Sequence, residues 1–341
     1  MPTARRRQPR LRERGAAPAA KPGDPKVPGR PAAPGACAVR FGGPAAGLER
    51  DRQPPALRVA LDPLGGDDHE LLLLAAADAG EKNGCCLFRA GDLTAGFAVA
   101  RPDLDLEAAT GELYQRLFAA TAGRHLLRIW NYVPHINREQ AGLENYRRFC
   151  RARAAAFEAR FGPAFQPLLP ASSAVGAAAG PLAVAFLAGT APGRHLENPL
   201  QVPAFRYPAE HGPRPPSFSR ATVAETAAAT HVFISGTAAI RGHATVAPGD
   251  RDSQLACTLE NLAAIGETAG VGPTLGAGSA WRRRFKVYLR QRDDFPAVKS
   301  RLESGLLRPG DRVAYLQAEI CRPELVLEIE ATLAGPRRSP G

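Results

Sequence analysis

Two carboxylates near the end of the chain, Glu328 and Glu330, lie two residues apart in the run Glu324–Ala331. Large apolar residues alternate through that run, which predicts a strand with Leu325, Leu327 and Ile329 on one face and Val326, Glu328 and Glu330 on the other. Val313–Ile320 predicts the strand before it, and Pro323 interrupts the ladder between the two. A pair of strand carboxylates is either a solvated outer face or a functional one. In the functional reading Glu328 points into a cleft, where burial raises its pKa so that it keeps a proton near neutral pH and serves as a general acid.

The elements that must position these groups follow from the pattern upstream. The chain has 341 residues, is 45% apolar, and contains no apolar run long enough to span a membrane. Its formal charge is +11, but residues 1–58 hold thirteen Lys/Arg against four Asp/Glu, leaving only about +2 for the rest. The basic character belongs to the tail. That tail lacks interleaved aromatics, so nucleic acid is not expected as a partner. Neither is a membrane. Six cysteines and seven histidines form no CxxC pair and show no metal-ligand spacing, so reduced thiols, a cytoplasmic location and no metal are expected.

Residues 1–55 are rich in Pro, Gly, Ala and Arg and predict a disordered tail, with a transit peptide left open by the Arg-rich start. An α/β body follows. Strands are expected at 57–61, 85–88, 96–100, 125–134, 182–187, 231–240 and 284–289. Helices are expected at 106–123, 137–161, 252–269 and 295–302. Asn137 is the expected N-cap of the second helix, and Gly162-Pro163 its end. Between the 125–161 and 182–187 segments the chain reads as an Ala/Gly connector. Residues 197–221, with six prolines among Phe205, Tyr207, Phe218 and several arginines, predict an ordered functional loop.

Two resemblances emerge from this order. Ile234–Thr237, Gly249-Asp250, Gln254, Glu260–Leu262, Val287–Leu289, Phe295–Val298 and Leu327–Ala331 resemble the YjgF/RidA-like fold over roughly 225–333. More specifically, Arg128–Asn137, Gly142–Phe149, Glu197–Val202, Tyr207–Ala221 and Ser235–His243, with the terminal strand, resemble the chorismatases. The resemblance implies two YjgF/RidA-like halves, each a mixed sheet with helices packed on one face. An N-terminal domain would run from 56 to 222, a C-terminal domain from 223 to 334, and a short tail from 335 to 341. It also implies a monomeric or weakly associating protein without cofactor or metal, which removes the enolpyruvyl group of chorismate as pyruvate. The ring would leave as 3-hydroxybenzoate, a starter acid for secondary metabolism, or as a dihydroxycyclohexadiene carboxylate.

For such a dianionic substrate, arginine forks are the suited binders, which points to Arg153, Arg214 and Arg220. The resemblance places the catalytic acid at Glu328 and a substrate hydrogen bond at Tyr207. Ser235, Gly236 and Thr237, at a strand end, could hold a carboxylate through backbone N–H and hydroxyl groups, or simply form a tight turn. A cysteine seven residues before the acid, Cys321, resembles the 3-hydroxybenzoate-forming branch, with the thiol assisting ring proton transfer. The chain departs from the family at Leu200, His211, Cys150, Ala244 and Ala247, where Arg, Tyr, Asn, Glu and His are more usual. Altered specificity, a non-catalytic binder of an aromatic acid, and an imine deaminase using Arg312 remain the alternatives.

Overall fold

In the computed structural model, which describes residues 37–49, 55–73, 76 and 78–337, two helix-backed mixed sheets meet face to face. The first sheet has six strands in the order Ala171–Ala177, His125–Pro134, Ala183–Gly189, Leu93–Val99, Cys85–Ala90 and Asp78–Lys82. Helices α1 (Leu106–Ala120) and α2 (Asn145–Phe161) cover one side. They pack Leu113, Leu117, Phe149 and Phe157 against Ile129, Val133 and Phe186. Each such side chain stabilises the fold by about 1.5–3 kcal/mol on full burial.

The second sheet has seven strands. In order they are Arg194–Leu196, Ala221–Glu225, Thr230–Thr237, Leu327–Gly335, Arg282–Leu289, Arg312–Gln317 and Asp62–Gly66. Helices α3 (Arg251–Thr268) and α4 (Phe295–Gly305) back it, burying Leu255, Leu262, Val298 and Leu302 against Val287, Leu327 and Ile329. Asp250 caps α3 by accepting from the Ser253 N–H at 2.7 Å. The uncovered sides of both sheets share a third core, which includes Phe97, Trp130, Tyr132, Phe233 and Tyr288. A four-stranded sheet of Gly47–Glu49, Ala56–Val59, Cys37–Phe41 and His69–Leu73 adds Val39 and Leu57 to that core.

Several expectations change. Residues 37–49 belong to the fold: Cys37, Val39 and Phe41 are buried, because a short alternating stretch suffices once a neighbouring sheet covers it. The rest of the expected 1–55 tail, apart from Pro55, lies outside the described residues. Helix α2 starts at Asn145, eight residues later than expected. Residues 139–144 instead form a small hairpin whose turn, Ala141-Gly142, has positive φ at both positions. Asn137 caps nothing and donates to Glu144 at 3.0 Å. The Ala/Gly connector contains the buried Ala171–Ala177 strand; small residues there permit close approach of the opposite sheet. At Gly176 an added Cβ would meet Glu319 and Ile136.

The last two strands are not neighbours. Arg282–Leu289 lies between them, parallel to Arg312–Gln317 and antiparallel to Leu327–Gly335. The second of them begins at Leu327, after a turn that holds Pro323. The two sheets also do not divide at residue 222, since Asp62–Gly66 and Arg194–Leu196 both join the second sheet.

Candidate active site

The Leu327–Gly335 strand turns Leu327, Ile329 and Ala331 toward α3, so Glu328 and Glu330 face the first sheet. Both carboxylates are buried, at 4% and 2% exposure, so the solvated-face reading fails. Their surroundings differ. Glu330 accepts from Trp130 Nε1 at 2.7 Å, Arg128 at 2.8 Å and Ser173 Oγ at 2.5 Å, and pairs with Lys286 at 2.7 Å. Burial pushes its pKa up, but Lys286 and Arg128 bring it below the ordinary carboxylate value. Lys286 also pairs with Glu70 at 2.5 Å. This cluster ties both sheets and the small N-terminal sheet together.

Glu328 has no such cage. Its Oε1 is buried without a hydrogen-bond partner. Burial and the charge on Glu330 push its pKa up to about 8, with Arg128 and Arg220 opposing. The carboxyl therefore carries a proton at neutral pH. Room for it is made by Gly236: a Cβ built there would collide with the Glu328 carboxyl. Gly236 sits where the pairing of Thr230–Thr237 with Leu327–Gly335 slips register between Ile234 and Thr237, a bulge that opens the sheet beside the acid.

Glu328 reaches a cavity of about 120 Å³ between the two sheets, lined also by Arg153, Tyr207, Arg220, Gly236 and Cys321. Arg220, on the ordered loop, donates to Tyr207 Oη at 2.7 Å and lies over the Tyr207 and Phe218 rings; its Nε is buried and unpaired. Arg153, on α2, donates to Tyr114 Oη at 2.6 Å and to Ser172 Oγ at 3.3 Å. Two guanidinium groups thus stand fixed before any ligand arrives, which is the preorganisation a dianion site needs. Cys321 is partly exposed to the cavity, and burial with the nearby Glu328 pushes its thiol up to about 12. It is a neutral thiol, not a thiolate.

Six of the expected nine residues therefore share one cavity. Arg214 stands apart, half exposed and paired with Glu158 at 2.7 Å. Ser235 is structural: its hydroxyl donates to Ser219 O at 2.6 Å and accepts from Ser172 N–H at 2.8 Å, pinning the two sheets together. Thr237 donates to Ser235 O at 2.9 Å and holds the bulge. Neither lines the cavity. Arg312, the residue on which an imine deaminase would rely, pairs with Asp67 at 2.7 Å outside it.

Sequence reading missed Arg322, whose guanidinium lies over the Tyr207 ring at 5.4 Å with Nη2 buried and unpaired, and Arg147, also in the lining. Arg322 follows Cys321 directly, and that adjacency was the available signal. Glu197 was also missed. It is half-buried next to Arg220, with Oε2 fully buried, and desolvation pushes its pKa up to about 7 while Arg220 opposes.

Comparison with known proteins shows the family. Residues 73–188 match the family described as chorismatase FkbO/Hyg5-like, N-terminal. A chorismatase of Streptomyces rapamycinicus is 38% identical over 268 residues, covering 75% of this chain and 79% of that protein. This chain belongs to the chorismatase family. A 3-hydroxybenzoate synthase of Streptomyces hygroscopicus is 40% identical over 217 residues, spanning 61% of the chain and 63% of the relative's length. A chorismatase crystal structure superposes with a TM-score of 0.75 at 30% identity, covering 91% of this chain and 96% of the other. The chain is an enzyme of the chorismatase type, with a mixed α/β fold of several sheets and few helices. Among the described residues no helix is long and apolar enough to cross a membrane.

Proposed function

We propose that this chorismatase releases pyruvate from chorismate and delivers the ring as 3-hydroxybenzoate, a starter acid for secondary metabolism. The observation that carries the reading is the protonated, unpartnered Glu328 carboxyl inside a cavity whose other walls are arginines. Arg153, Arg220 and Arg322 hold the two carboxylates of the substrate, with the Tyr207 hydroxyl beside them. Glu328 gives its proton to the vinyl CH2 of the enolpyruvyl group, and positive charge builds on the carbon bearing the ether oxygen. Water adds to that carbon, the hemiketal collapses and pyruvate leaves. The ring then loses its free hydroxyl as water, together with the proton on the adjacent carbon that bore the ether, and becomes aromatic. Water taken up in the first stage is returned in the second.

Cys321, a neutral thiol at the cavity wall, takes part in that second stage as a hydrogen-bond donor rather than as a thiolate base. The product named for one relative, 3-hydroxybenzoate, is consistent with this role. The enzyme works as a monomer in the cytoplasm, a compartment in which reduced thiols such as Cys37, Cys150, Cys257 and Cys321 persist.

The test is incubation of the purified protein with chorismate, following pyruvate by a coupled assay and identifying the ring product by chromatography and mass. Pyruvate with 3-hydroxybenzoate is expected. Pyruvate with the diene diol would keep Glu328 and reject the role of Cys321. Intact chorismate would overturn the reading.

A further inference from the structure

At the rim of the cavity, three side chains outside the acid and its arginines converge. Glu210 and His211 belong to the 3-10 turn Ala209–His211. His243 belongs to the turn between the short paired strands Ile240–Arg241 and Ala244–Thr245. Thirty-two residues separate the two imidazoles in the chain, which is why no ligand spacing is visible in the sequence. In space they touch. His211 Nε2 lies 3.0 Å from His243 Nδ1, and a single oxygen, Glu210 Oε1, lies 3.4 Å from the first and 3.3 Å from the second.

Those three distances describe a nearly equilateral triangle of ligand atoms. A tetrahedral zinc-class ion with ligands at 2.0–2.1 Å requires neighbouring ligand atoms about 3.3–3.4 Å apart. The triangle is therefore already one face of the coordination polyhedron, and the fourth corner is open. Two imidazole nitrogens facing each other can share only one proton, whereas an ion between them is a ligand-acceptor for both lone pairs. The Tyr207 ring packs on both imidazoles, with centroids 5.3 and 6.4 Å away, and limits their rotation.

We propose that Glu210, His211 and His243 form a binding site for a divalent transition-metal ion of the zinc class, with two imidazole ligands, one carboxylate ligand and one open position. Imidazole nitrogen selects zinc, nickel, cobalt or copper over magnesium and calcium. His211 also lines the cavity, so the ion sits on its wall. Arg322 and Arg147 face His211 and oppose a cation there. The site is independent of the acid chemistry at Glu328, and its test does not need turnover.

The experiment is a Co2+ titration of the full chain after chelator treatment, read by visible absorption, followed by competition with Zn2+. Four-coordinate Co2+ with nitrogen and oxygen ligands gives an intense ligand-field band without the near-ultraviolet thiolate band that a cysteine site would add. We expect that band at one equivalent, its loss on adding Zn2+, and an affinity lowered at least about tenfold in His243→Ala and in Glu210→Gln, since loss of a ligand costs no less than loss of an outer-shell partner. Thermal unfolding checks that each variant is folded, and Glu210→Gln keeps the side-chain shape should the histidine variant be unstable. A thiolate band, a six-coordinate spectrum, or unchanged affinity in both variants would overturn the site.

Discussion

Glu328 and Glu330 share one strand, one face and nearly the same burial, yet they occupy opposite electrostatic regions. Around Glu330 the sheet interface supplies Arg128, Lys286, Trp130 and Ser173, and the carboxylate stays charged. Around Glu328 it supplies a bulge, a glycine and a cavity, and the carboxyl stays protonated. The charge on Glu330 is itself one of the causes that raise Glu328. Burial alone therefore does not make an acid. What makes one here is burial without a hydrogen-bonded cation, beside a charged neighbour that holds Arg128 and Lys286.

The comparison breaks most visibly at Glu328. Glu328→Gln should lower kcat for pyruvate release by about 10²–10⁴-fold, the usual contribution of a general acid, while leaving the protein folded. In the wild type, activity should fall as pH rises through about 8 because the proton is lost. Stability carries the same sign. The folded pKa lies above the unfolded one, so the native state binds more protons between about 4.5 and 8, and stability declines as pH rises across that window. Urea unfolding at pH 5 and pH 8 should show a decline in the wild type that shrinks in Glu328→Gln.

Glu330→Gln tests the other half. Removing one partner from a buried charge cluster costs about 3–5 kcal/mol, so a lower midpoint of urea unfolding is expected. Whatever protein remains folded should have its alkaline activity limit shifted to lower pH, because a negative neighbour of Glu328 has gone. An unchanged limit would mean that Glu330 does not act on the acid.

Gly236→Ala is expected to be smaller in stability but visible in rate. The new methyl must displace the Glu328 carboxyl or reopen the bulge, overpacking that costs about 1–3 kcal/mol, and kcat should drop with the displaced acid. The smallest effect on pyruvate release belongs to Cys321→Ala, which should leave that rate within a few-fold and move the ring product from 3-hydroxybenzoate toward the diene diol. An unaltered product ratio would remove the thiol from the aromatisation step.

Much of this was legible in the chain itself. Alternation placed Glu328 and Glu330 on one face, the motif order pointed to the family, and the proline-rich loop was expected to be functional and does carry Tyr207 and Arg220 into the cavity. Periodicity located α1 and α3, since a helix stripe is a local signal. It failed where the deciding contacts are distant. The Ala171–Ala177 strand has no large side chains to announce it, because the opposite sheet comes too close to admit them. Arg214 and Arg220 look alike in the loop, but one meets Glu158 at the surface and the other stacks between Tyr207 and Phe218.

By itself, then, the sequence determined which residue types stand on each face of each element, because 2.0- and 3.6-residue periods are properties of the backbone. Tertiary structure decided which of two equivalent carboxylates would be the acid. That choice depends on the electrostatic field at a point, summed over Arg128, Lys286 and Arg220 from strands and loops far apart in the chain, and on the space left by Gly236.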